Sequence, residues 1–391
     1  MRVSKIYTYP VKSFREAELE SAVLTKLGLT YDRRFMCLKV LEDGSLKNMA
    51  VASVPEMTLF FPSIDVTEDG DDSSGTLTIT FKPPNGEHKT LQMPLKPETE
   101  SLEEIDVVMH LSPTKAYKMD EKYNDWLSDC FGYEVILAYL GEHLRDVRST
   151  SNLDRPGPSD GWLASLTSKA SQIVMGGGNG RSQITFADCA PYLIVSEKSM
   201  DDVHSRLPDG QEMDIRKFRP NVIVSGAEDD WEEDFWAELT INGKTKVDCE
   251  HNCARCKSIN IDFSTGQPGT AEAGSMLKKL NSNRRVDPGM KWSPVFGRYS
   301  FLQPASDGHT IRVGDEVVVT KRNNERTVFG EYCDNFVLLN LLTVLQTGRD
   351  SVPNEHLMGC CYFRFVPTLR STCHQLVFHI PSSQELMVRS V

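Results

Sequence analysis

The densest chemistry in the chain lies at His251-Asn-Cys-Ala-Arg-Cys256, which sets two thiols three residues apart with Arg255 between them and Cys249 just upstream. A thiol beside a guanidinium tends toward the thiolate, and a thiolate is a nucleophile or a ligand for a soft metal. Three readings compete. Cys249, His251, Cys253 and Cys256 are zinc-type donors, but they crowd into one short stretch, whereas strong zinc signatures use two separated pairs. The C-x-x-C spacing suits a thioredoxin-like redox pair, yet such a pair opens a helix after a strand, and Lys257-Ser-Ile-Asn-Ile-Asp262 reads as extended. Standing alone, the thiols would be buried structural cysteines.

The elements that must position this segment are mostly strands. Residues 239–247 fold around Asn242-Gly243, the strongest short hairpin signal, and lead directly into the cysteines. Upstream, 191–195 reads as a strand, Ser196 as the cap of an amphipathic helix carrying Met200, Val203 and Leu207, and 218–225 as another strand. Downstream come a helix over 270–281, an extended 299–303 and a last strand over 313–321. The first part of the chain is similarly strand-rich. Residues 34–40 run into a Glu42-Asp43-Gly44 turn, and 76–82 pairs through Pro83-Pro84-Asn85-Gly86 with a strand near Leu91. The acidic stretch 68–75 reads as solvated loop. Residues 120–131 form a helix with Tyr123, Trp126, Leu127 and Phe131 on one face, followed by a buried strand over 133–140. The Gly176–Gly180 run has no Walker lysine and no G-x-G-x-x-G spacing, so it reads as loop.

Strands mixed with occasional helices, without a βαβ rhythm, make this an α+β protein. The pattern divides it into a β-barrel-like block at 1–140, an irregular connection at 141–184, a second β-rich block at 185–328 and an atypical extension at 329–391, expected to be poorly ordered. That extension carries Cys333, Cys360, Cys361 and Cys373 of the ten cysteines. A length of 391 residues, 39% hydrophobic and 25% charged, suits two soluble domains with real cores. A net charge of −12 argues against general nucleic-acid binding. No stretch has the ~20 apolar residues needed to span a bilayer, and the start has no signal-peptide run. The expectation is a cytoplasmic protein, reducing in environment, without a transmembrane segment or membrane anchor.

Five motifs follow one another: Tyr9-Pro-Val-Lys-Ser13, Asp32-Arg-Arg-Phe35, Phe218-Arg-Pro-Asn221, the Cys256 segment, and Ser293-Pro-Val-Phe-Gly297. In this order, over about residues 1–328, they resemble the MOSC superfamily with its N-terminal β-barrel domain, and are most similar to the amidoxime-reducing components. The resemblance implies a molybdenum cofactor (Mo-molybdopterin) held between a barrel domain and a β-rich MOSC domain. By motif position, Cys256 would ligate molybdenum and act in catalysis, with Arg255 helping to keep it ionised and Cys253 a neighbour. Lys12, Ser13 and Arg34 would hold the anionic tail, Arg219 and Asn221 would contact the pterin or the metal side, and Arg33 would be a helper or a surface charge. Asp188, in Phe186-Ala-Asp-Cys-Ala-Pro191, matches the family's aspartate, but Cys189 and Ala190 depart from the polar pair that follows it in relatives. Residues 47–53 and everything after Phe329 also depart from the family.

The implied reaction is reduction of small N-hydroxylated substrates, amidoximes or hydroxylamines. The chain shows no haem or flavin motif, so electrons would come from cytochrome b5 and cytochrome b5 reductase, which would also bring the protein to the mitochondrial surface. The alternative is a molybdenum cofactor carrier or sulfur-transfer protein related to cofactor sulfurases. No pyridoxal-phosphate desulfurase domain accompanies it here.

Overall fold

Asn242 and Gly243 have φ of 50° and 66°, the paired left-handed conformation that an Asn-Gly turn demands. Strand Trp236–Ile241 folds back there onto Thr245–Ala254, whose end carries Cys253. This hairpin belongs to a sheet of eight strands. Its spatial order is Ala17–Leu19, Arg2–Thr8, Val222–Ser225, Tyr192–Ser196, Val295–Leu302, Thr245–Ala254, Trp236–Ile241, Val317–Arg322. The strand that begins the chain thus lies inside the sheet of the second block, antiparallel to Val222–Ser225.

The computed structural model describes residues 1–66, 75–110, 112–146, 183–270 and 272–329, and all of them fall in one compact unit. Most of the acidic stretch 68–75, the Gly176–Gly180 run, and the expected poor order and four cysteines of the extension beyond Phe329 lie outside the described residues.

Both faces of the large sheet are covered, which is why its central strands read as unbroken apolar runs. Alternation sends Ile194, Val222 and Val224 into one core with Trp236, Leu239 and Val247. It sends Leu193, Val195 and Ile223 into another with Phe218, Phe296 and Cys253. The N-terminal block is barrel-like. A five-stranded antiparallel sheet runs Glu103–Met109, Ser112–Lys118, Val135–Tyr139, Phe35–Val40, Leu46–Asn48. It faces the meander Phe60–Asp65, Thr76–Phe81, Lys89–Pro94. Phe35, Cys37, Val135 and Leu137 meet Phe60, Leu77 and Ile79 inside, and helix Glu121–Phe131 closes the core with Tyr123 and Leu127. The architecture is therefore the β-rich α+β one read from the sequence, with few helices.

Several local expectations need correction. Ser196 is the last residue of its strand, paired with Val224 and fully buried, so it caps nothing; helix Lys198–Ser205 starts after Glu197. Residues 218–221 are not strand. A 3-10 turn occupies Ile215–Phe218, Arg219 is left-handed, and the strand begins only at Val222. Residues 257–262 are not extended throughout: Lys257–Asn260 is a 3-10 turn and only Ile261–Asp262 is strand. In the last two cases the extended reading hid a 3-10 turn closed by backbone hydrogen bonds, which periodicity does not register.

Candidate functional site

Lys12, Asp188, Arg219 and Asn221 lie where the two blocks meet. The segment after Thr8 leaves the large sheet and crosses to the barrel: Lys12 N donates to Phe35 O at 2.8 Å and Phe35 N to Pro10 O at 3.0 Å. Tyr9, fully buried, anchors the crossing by donating its hydroxyl to Pro220 O at 3.1 Å. On the return path Phe186 is buried in the outer core of the barrel with Met36, Leu38 and Ile136. That plug brings Asp188, two residues on, to the Lys12 side chain.

Lys12 is buried, and its ammonium donates to Phe186 O at 3.0 Å and to Asp188 Oδ1. Burial pulls its pKa down, helped by Arg145 and Arg33 and opposed by Asp188. Asp188 is half exposed and also receives His110 Nε2 at 3.1 Å. Partial desolvation by its surroundings works against its charge, but Lys12 and His110 outweigh it and hold the carboxyl well below the usual carboxylate range. The backbone around it is gripped by Arg145, which donates to Ala187 O and to Asp188 O, the latter at 2.9 Å.

Deeper, Asp32 accepts from Tyr9 N at 2.9 Å, from Asn221 Nδ2 at 3.1 Å and from Arg33. Asn221, 1% exposed, spends its whole amide inside the protein. Nδ2 also donates to Tyr7 O at 3.2 Å, while Oδ1 accepts from Leu193 N at 3.1 Å and Arg33 Nη1 at 3.3 Å. It is a clamp between the blocks, with no donor or acceptor left for a ligand. Arg219 stacks on Tyr9 (4.3 Å from guanidinium carbon to ring centre) and donates to Phe14 O at 2.7 Å. Burial, with Arg33 nearby, lowers its pKa. Arg34 turns to the barrel side and donates to Gly141 O.

Ser13, Arg33, His110 and Arg219 all have φ between 49° and 70°. Non-glycine residues in this region cost about 1–3 kcal/mol each and gather where function over-determines the backbone. Here four do so around one cluster of cations.

The cysteines separate. Cys253 is 3% exposed, and burial raises its pKa although Arg255 pulls the other way. Cys256 is only half-buried, on the extended residue that opens the 3-10 turn, with Sγ 3.2 Å from Ser258 Oγ. Arg255 does not turn to it. Its guanidinium donates to Phe296 O (3.0 and 2.6 Å) and Phe218 O (2.7 Å), riveting the cysteine strand to its neighbours. His251 packs its ring on Phe329, and burial with Arg298 lowers its pKa to about 4, so it is neutral. Among the described residues, no three His, Cys, Asp or Glu side chains gather as a metal-binding group. A metal on Cys256 would draw its other donors from the molecule that carries it.

Sequence reasoning missed Asp32 as the hub, Arg145 and His110. Asp32 stood inside a quoted motif; Arg145 and His110 had no signal, since their role arises from chain segments more than 40 positions apart.

A barrel-like block, a second sheet covered on both faces and a cationic junction between them define a MOSC-type two-domain protein. Residues 1–134 match the model of the MOSC N-terminal beta barrel domain, and residues 181–318 that of the MOSC domain. The chain belongs to the MOSC family, with both domains present. It is 28% identical to mitochondrial amidoxime-reducing component 1 of Homo sapiens over 323 residues, 81% of this chain and 82% of that protein. It is 26% identical to molybdenum cofactor sulfurase of Oryza sativa subsp. japonica over 81% of this chain but 35% of that protein. Mitochondrial amidoxime reducing component 2 of Homo sapiens is 34% identical over 139 residues, 34% of this chain and 38% of that protein. Among the described residues no helix is long and apolar enough to cross a membrane.

Proposed function

We propose that this protein binds the molybdenum cofactor at the junction and reduces small N-hydroxylated compounds such as amidoximes. The observation that carries the reading is a half-buried thiol, Cys256, in a chain that gathers Lys12, Arg33 and Arg219 at the junction of its two blocks. Among the described residues, Lys12, Arg33 and Arg219 lie there with Asp32, Asp188 and Glu16 acting on them. Clustered cations suit an anionic ligand, and a single cysteine ligand suits a metal that brings its own sulfur donors. The residues present therefore fit the group.

Cys256 would be the protein's ligand to the metal. Lys12, Ser13 and Arg34 would hold the anionic tail, and Arg219 would reach the pterin side while stacked on Tyr9. Asn221 and Arg255 act through others: the first fixes Asp32 and Arg33, the second fixes the strand under Cys256. The chemistry the group supplies when bound is two-electron removal of oxygen from nitrogen. Balance requires two electrons and two protons per amidoxime, giving amidine and water; cytochrome b5 and cytochrome b5 reductase, fed by NADH, fit as the supply.

The test is to purify the full chain from a host that makes the cofactor, measure bound molybdenum, and assay benzamidoxime reduction with NADH, cytochrome b5 and its reductase. Stoichiometric metal and turnover are expected. Cys256→Ala should lose both, whereas Cys253→Ala should keep the metal and lose stability only. Absence of molybdenum sinks the cofactor reading. Metal without turnover favours the second reading, a cofactor carrier or sulfur-transfer protein, which the similarity to the rice cofactor sulfurase supports.

A further inference from the structure

We propose that the segment running from Cys256 to Trp292 builds a docking face for a partner protein with an acidic surface, and that this partner is the electron donor. The inference rests on the reductase reading above and deepens it, because it says where on the chain the donor sits.

In a chain of net charge −12, residues 257–292 hold six lysines and arginines against three carboxylates. Those carboxylates are all engaged. Asp262 accepts from Ser264 N at 2.9 Å and Ser264 Oγ at 2.7 Å, and Glu272 pairs with Lys279 at 2.8 Å. Asp287 is buried and accepts from Gly289 N at 2.9 Å and Phe329 N at 3.0 Å. Of the remaining cations, Arg284 turns inward to Asp234. Lys257, Lys278, Arg285 and Lys291 are exposed and, among the described residues, have no carboxylate partner. Trp292 stands beside them, 65% exposed, the most open of the large hydrophobic side chains described. The Lys291 ammonium lies 5.6 Å from its ring centre.

Hydrogen bonds tie this segment to the thiol. Leu277 N donates to Asn260 Oδ1 at 2.9 Å, which sets helix Met276–Leu280 on the turn Lys257–Asn260 that follows Cys256. Val295 N donates to Arg284 O at 2.9 Å, and Arg255 N to Pro294 O at 2.8 Å. Trp292 is thus two residues from the carbonyl that receives Arg255, the neighbour of Cys256. An aromatic anchor with a charged rim is the composition of a protein interface. Screening beyond about 10 Å leaves the local cations, and not the net charge of the chain, to steer an acidic partner here. A donor seated on this face stands beside the residue that would hold the metal. Two visits of a one-electron donor, each leaving it oxidised by one electron, supply one amidoxime reduction together with two protons from solvent.

The experiment is calorimetric titration of cytochrome b5 into the full chain at low and physiological ionic strength. Beside it, benzamidoxime turnover of the loaded chain is measured with either cytochrome b5 or reduced methyl viologen as donor. Wild type should bind cytochrome b5, and more weakly as salt rises. Trp292→Ala should weaken binding and raise KM for cytochrome b5 about tenfold, the usual effect of losing one aromatic anchor. Arg285→Glu and Lys291→Glu should each weaken binding severalfold and flatten its salt dependence. All three variants should keep the wild-type kcat with methyl viologen, a small donor that needs no docking face. Lys244→Glu, an exposed cation at the opposite end of the cysteine strand, should leave binding unchanged. Wild-type affinity in Trp292→Ala and in both charge reversals, or no binding by wild type, would overturn the docking face. The reductase reading fails separately, on the absence of molybdenum or of viologen-driven turnover in wild type.

Discussion

Asn221 offers the sharpest test of how the junction is held. Its side chain makes four hydrogen bonds of 3.1–3.3 Å, all to buried or half-buried protein groups. Asn221→Ala leaves the Leu193 amide without that acceptor, removes one donor from Tyr7 O and one from the Asp32 carboxylate, and frees Arg33 of its second acceptor. An orphaned buried donor costs about 1–3 kcal/mol, and each of the three remaining bonds contributes about 1 kcal/mol, so the variant should lose roughly 4–6 kcal/mol. Urea unfolding followed by tryptophan fluorescence reads this as a lower midpoint at unchanged slope. Asn221→Asp should be comparably destabilised near neutral pH, because it sets a second carboxylate about 3.1 Å from that of Asp32. One of the two then takes a raised pKa, so the loss should ease as acid protonates it. Should Asn221→Ala retain wild-type stability and yet fail to bind cofactor, Asn221 would be a ligand contact and the clamp reasoning would be wrong.

Glu233 is fully buried and accepts a 2.7 Å hydrogen bond from Ser199; burial raises its pKa to about 7. A carboxyl raised in the folded state holds its proton longer than in the unfolded chain, so stability should fall as pH rises from about 4.5 to about 7, by at most about 1.4 kcal/mol per pH unit. Glu233→Gln should flatten that slope in urea midpoints measured across the window. At Gly297, φ is 80° and an added Cβ would lie 2.6 Å from Val195 Cγ1 and 3.0 Å from Ile194 O. Gly297→Ala should cost roughly 2–4 kcal/mol in thermal or urea unfolding, from the left-handed backbone and the clash together. Gly132→Ala, with φ of 77° but open space around the site, should cost only about 1–2 kcal/mol; equal losses at both would refute the steric part.

Much of the β framework was legible because its signals are local. The Asn242-Gly243 turn, the 76–82 hairpin and the apolar face around Tyr123 and Leu127 each depend on residues within a few positions of one another. The turns at 215–219 and 257–260 were not legible, since apolar spacing there serves packing between turns and carries no strand period. Motif order brought Lys12, Asp188, Arg219, Asn221 and Cys256 onto one short roster. What each side chain does there was another matter: Asn221 stood as a contact to a ligand and Arg255 as a support for Cys256, but the four hydrogen bonds of Asn221 and the three of Arg255 go to the protein.

By itself the amino-acid sequence determined the class of protein, the place of the thiol pair and the order of the motifs that carry Lys12, Asn221 and Cys256. Only the tertiary structure decided that Cys253 is enclosed and Cys256 half-exposed, that Asp32 is the hub, and that His110 and Arg145 belong to the cluster. The reason is physical. Backbone propensity and turn chemistry act over a few residues, whereas burial and charge pairing depend on which distant segments the folded sheets bring within hydrogen-bonding reach.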